Sequence, residues 1–161
     1  MIAAYNKASK KVQIGKYVRL EYVEVEGIEE YLPVFDEKAV FLGELNLKAG
    51  YSWKTMPQKG AAPWESSNKE SKQGDLTEIV ARGIVNTDVD NLSESTALRM
   101  KRTEFVVRII LSDGYKFLIA TPQYPAQFSF KTEGGELGKD LRKMSFSFKS
   151  QLLHPILNWY F

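Results

Sequence analysis

From Phe105 to Thr121 the chain reads FVVRIILSDGYKFLIAT, with two apolar runs rich in β-branched and aromatic residues on either side of Ser112-Asp113-Gly114. An Asp-Gly pair between such runs predicts a tight β-hairpin, because glycine accepts the positive φ that the turn requires. Phe105, Val107, Ile109 and Leu111 share one face of the first arm, and Val106 and Ile110 flank Arg108 on the other. Apolar residues on both faces place this hairpin inside the sheet system, covered on both sides. Gln127 to Thr132 and Met144 to Lys149 alternate cleanly, with Phe128 and Phe130 on one strand and Met144, Phe146 and Phe148 on the other. Two antiparallel strands that each bury one aromatic face must pack on a second layer.

Earlier in the chain, Tyr17 to Glu26 alternates with Val18, Leu20 and Tyr22 on one side and then shifts phase at Val23 and Val25, which predicts a strand with a bulge or one passing from a buried to an exposed environment. Tyr31 to Phe35 contains Pro33 and reads as an edge or a connection. Val40 to Leu47 and Leu76 to Val85 read as further strands. Ser93 or Ser95 can cap a short helix through Thr96 to Lys101, with Arg99, Lys101 and Arg102 near its negative end. A solvated helix face explains that basic cluster better than a nucleic-acid contact does.

Two stretches break the strand pattern. Residues 1–12 are expected to form a mobile N-terminal arm, and residues 49–75, with Pro57, Pro63, several glycines and a Ser/Asn/Lys/Glu tail, a long loop. That loop carries Trp53 and Trp64, rings a disordered linker has no use for, so they either lid the domain's own core or become buried against another subunit. The chain closes on Trp159, Tyr160 and Phe161, a triplet costly to leave in water and suited to anchoring a strand or sitting in a subunit interface. The expected fold is a single mainly β domain over residues 1–161, an antiparallel β-sandwich or barrel-like domain with one short helix.

Composition narrows the chemistry. A chain of 161 residues, 43% hydrophobic and 26% charged, can stand on its own core without metal or disulfide. A net charge of +2 is too small to draw in nucleic acid or an acidic membrane by long-range attraction. Cysteine is absent, and no segment has the roughly 20 apolar residues of a membrane span or the apolar core of a secretion signal, so folding in the cytosol is expected. His154, the sole histidine, precedes Pro155 at a strand exit and reads as structural. The acidic residues from Glu24 to Glu30 surround Gly27 without calcium-loop spacing, and no phosphate loop, serine elbow or zinc spacing occurs. The sequence therefore offers no catalytic, cofactor or metal residues, and a non-enzymatic role is expected.

The order from Leu92 to Phe161, a short basic helix, EFVVRIILSDGYKFLIAT, a TPQYPAQFSF turn, a Gly-rich loop around Gly134-Gly135 and a last strand MSFSFKSQLLHPILNWYF, resembles small β-rich virion proteins among the tail and neck genes of tailed phages and prophages of Bacteroidetes-type hosts. The resemblance brings no catalytic residues. It implies a structural subunit of the virion, made in the host cytoplasm, that meets copies of itself in a ring or tube of the tail or head–tail connector and touches neighbouring tail or neck proteins. Trp53, Trp64, Trp159, Tyr160 and Phe161 are the expected subunit-interface residues. The alternatives are a capsid-associated or decoration protein, and a soluble ligand-binding β-sandwich module with Trp53 and Trp64 as a stacking platform.

Overall fold

The computed structural model describes residues 12–32, 44–58, 60–71, 74–86, 93–133, 143–153 and 157–159. In chain order the elements are β1 (Val12–Tyr17), β2 (Arg19–Glu24), a 3-10 turn (Val25–Gly27), β3 (Ile28–Leu32), β4 (Glu44–Leu47), β5 (Lys54–Thr55), β6 (Ala62–Ser71) and β7 (Gly74–Asn86). They continue with α1 (Glu94–Lys101), β8 (Glu104–Ile110), β9 (Lys116–Ala120), β10 (Ala126–Glu133), β11 (Lys143–Leu152) and β12 (Leu157–Trp159).

A 10-stranded antiparallel sheet runs β1-β6-β7-β11-β10-β8-β2-β5, with β9 on β8 and β12 on β9. The two ends of that path are nearly one stretch of chain. Only Val18 separates β1 from β2, its amide donating to Ile110 O at 2.8 Å, and Met56 N donates to Leu20 O at 2.9 Å on the way from β5 to β6. The sheet thus returns on itself as a flattened, barrel-like sandwich. β9 and β10 likewise follow one another along a single edge of β8, through Ala120↔Val107 and Ala126↔Phe105. β11 and β12 do the same beside them, through Lys149↔Gln127 and Leu157↔Leu118.

Alternation fills the interior. Leu20 and Tyr22 from β2, Phe105, Val107 and Ile109 from β8, Phe128 from β10, and Met144, Phe146 and Phe148 from β11 meet Ile79, Ala81 and Val85 from β7. The centre is aromatic: Phe148 lies 5.1 Å from Phe128 and 5.8 Å from Phe105, centroid to centroid. Each such ring contributes about 1.5–3 kcal/mol by leaving water, so this ladder outweighs α1, which gives only Ala97 and Met100 to the core. Ser93 caps α1 by accepting from Thr96 N at 3.2 Å. The β3–β4 hairpin covers the outer face of the β2–β8–β9 wall, closing over Val23, Val106 and Leu118. β8 is therefore buried on both faces, as its two-sided apolar pattern predicts.

The turn after β8 follows the Asp-Gly signal. Gly114 has φ 90°, its amide donates to Leu111 O at 3.0 Å, and Asp113 Oδ1 accepts from Tyr115 N at 3.1 Å. Three expectations change. Residues 49–75 are not one long loop, because β5, the whole of the ten-residue strand β6 and the start of β7 fall within them. Pro63 stands near the start of β6, opposite Lys16 of β1 and before the pairing to β7 begins at Trp64↔Ala81. The phase break comes at Val18, not Val23: Tyr17 and Leu20 both point into the core, while Val18 is 46% exposed. Val12 already belongs to β1, and the rest of the expected arm, residues 1–11, lies outside the described residues.

Candidate functional site

The two ends of the barrel differ. At one, Ala97 and Met100 of α1 pack into the core, and beside them a cleft of about 250 Å³ lies among Tyr22, Glu24, Glu26, Lys54, Arg99 and Phe105. Lys54 Nζ and Glu24 Oε1 close one wall as an ion pair at 3.2 Å.

At the other end the β8–β9 turn is flanked by β1 on one side and β12 on the other. β2 leaves β8 at Arg19↔Ile110, so β1 runs on past the end of β8, while Trp159 pairs with Lys116 at the start of β9. β1 pairs only with β6 and β12 only with β9, so among the described residues each keeps an open edge. Val18 (46%) and Tyr115 (49%) are exposed at this end. Open strand edges beside exposed apolar side chains are a template for association.

Trp53 and Trp64 are not brought together. Trp64 points into the core, buried, with its ring 5.9 Å from Phe117, and its Nε1 has no hydrogen-bond partner among the described residues. Trp53 lies on the opposite face of the wall, half-buried in the outer cluster with the guanidinium of Arg108 4.1 Å above its ring. Both rings are packed within the chain, which corrects the picture of a loop offering two tryptophans to a neighbour. Alternation along β6 and the Arg108–Glu21 pair hold them there. The backbone of Trp159 is placed in β12; Tyr160, Phe161, His154 and Gly134-Gly135 lie outside the described residues.

Burial raises the phenol pKa of Tyr17, Tyr22 and Tyr31, with Glu24 adding to the effect at Tyr22 and a hydrogen bond with Thr121 opposing it at Tyr31. These hydroxyls stay neutral and serve packing; that of Tyr17 donates to Arg82 O at 2.6 Å. Among the described residues no three His, Asp or Glu side chains are grouped to hold a metal ion, and no helix is long and apolar enough to cross a membrane. The open edges were missed in the sequence, although Val12–Tyr17 (VQIGKY) carries a readable apolar–polar alternation at its start. Protein-family models, curated proteins and solved structures were compared with the chain, and none matches.

Proposed function

We propose that this chain is a non-enzymatic structural subunit of a tailed-phage virion, joining copies of itself in a ring or tube of the tail or head–tail connector. The observation that carries the reading is the end opposite α1, where two different open strand edges, β1 and β12, flank an exposed turn. Ring-forming contacts are heterologous, and two unlike edges on either side of one hairpin meet that requirement, the β12 edge of one copy adding to the β1 edge of the next. The backbone of Trp159 closes β12 against Lys116 at this same end.

Mass spectrometry of purified particles, with heads separated from tails, tests the proposal. Recovery of the chain in tails supports it, low copy number indicating a connector ring and high copy number a tube. Recovery with heads moves the chain to a decoration role, and absence from particles overturns the structural reading.

A further inference from the structure

Two ladders of the barrel wall border a cleft beside the turn from Thr121 to Pro125. The β10–β11 ladder ends at Gln127↔Lys149, and the β9–β12 ladder begins only at Leu118↔Leu157. Between these registers lies an open cleft of about 450 Å³, within the roughly 300–1,000 Å³ of small-ligand sites. Its backbone is already satisfied at the turn: Thr121 and Tyr124 exchange both amide–carbonyl bonds at 3.1 Å, and Ser150 Oγ donates to Ile119 O at 2.5 Å. An added peptide strand would find few free backbone groups there. The cleft is read by side chains.

Those side chains have a consistent chemistry. Gln123, Gln127 and Gln151 all line the cleft, all are exposed, and none has a side-chain partner among the described residues. Each amide offers one acceptor oxygen and two N–H donors, the complement of a hydroxyl that both donates and accepts. The half-buried Tyr124 and Pro125 supply a flat apolar wall, the surface on which the C–H face of a sugar ring stacks. Lys149 is tied to Glu78 at 3.0 Å, and Glu104 on the rim has no ion-pair partner among the described residues, which disfavours anions and leaves it able to accept from paired hydroxyls.

We propose that this cleft binds a neutral oligosaccharide. Three amides lining one cleft favour a polyhydroxylated ligand, the Tyr124–Pro125 wall favours a ring, and Glu104 disfavours uronates and phosphates. None of the cleft's lining residues belongs to β1 or β12, so the inference does not rest on the assembly reading, and either can fail alone.

The test follows the side-chain amide resonances of Gln123, Gln127 and Gln151 in the full ¹⁵N-labelled chain. Neutral gluco-, manno-, galacto- and N-acetylhexosamine oligosaccharides are added in turn, with polyuronates alongside. Saturable shifts of these amides with at least one neutral series are expected, weakened about tenfold by Gln127→Ala or Gln151→Ala, as loss of one hydrogen bond requires. Both glutamines are exposed, so the backbone spectrum of each variant should otherwise be unchanged. No saturable shift with any neutral series, binding confined to polyuronates, or affinity that survives the double substitution would overturn the proposal.

Discussion

Arg108 Nε donates to Glu21 Oε1 at 3.1 Å across β8 and β2, residues 87 apart in the chain, with 13% and 10% of their side chains exposed. The guanidinium also stacks on Trp53, and Arg19, half in water, reaches the same carboxylate oxygen at 3.6 Å. The pair fixes β2 against β8 beneath the β3–β4 hairpin.

Arg108→Ala takes the buried partner from the Glu21 carboxylate and leaves it the half-exposed Arg19 at 3.6 Å. The expected loss is about 3 kcal/mol in urea unfolding, with a change in Trp53 emission. Glu21→Leu combined with Arg108→Met should recover most of it, since apolar residues of similar volume replace buried ion pairs at little cost.

Gly15 sits against the Trp64 indole, and a Cβ built there would lie 2.6 Å from Nε1. Trp64 is held by the core and cannot swing away. Gly15→Ala is expected to destabilise by about 1–3 kcal/mol through overpacking, read by thermal unfolding and by the near-ultraviolet signal of the tryptophan.

Ser150 is buried and donates to the carbonyl of Ile119, where the register slips between Val107↔Ala120 and Arg108↔Leu118. The bulge takes Ile119 out of the ladder, and the serine supplies its carbonyl with a donor. Ser150→Ala should cost about 1–3 kcal/mol, the desolvation of an orphaned carbonyl, measured by chemical denaturation.

Burial holds the Tyr17 phenol well above its ordinary value of 10.0. The neutral form is the one the fold stabilises, so its contribution is complete below about pH 10 and is lost as pH rises from there toward the folded-state value. Stability should fall on the alkaline side, by up to about 1.4 kcal/mol per pH unit for this group. Tyr22 and Tyr31, raised in the same direction, steepen the fall. Tyr17→Phe should lose about 1–2 kcal/mol at neutral pH, with the Arg82 O bond, and show a shallower alkaline limb in a pH series of urea melts.

The elements legible in the sequence are those whose information is local. Asp113-Gly114 sets a turn, alternation at Phe128, Phe130, Phe146 and Phe148 sets two facing strands, apolar residues on both sides of β8 announce its double burial, and Ser93 starts a helix. Tertiary structure decided what depends on partners far along the chain. The stretch APWESSNKES is too polar to declare itself a strand, yet it becomes β6 because β1 and β7 stand on either side and take its backbone bonds. Trp64 turns inward and Trp53 outward because β6 continues the barrel wall while the segment before β5 lies over Arg108. The break at Val18 has the same origin: the chain leaves β6 for β8 there, and Val18 and Arg19 both face outward between Tyr17 and Leu20, which face the core. Side-chain periodicity reports which face a residue can bury. Which strand lies beside it is fixed only when the whole sheet closes around its aromatic centre.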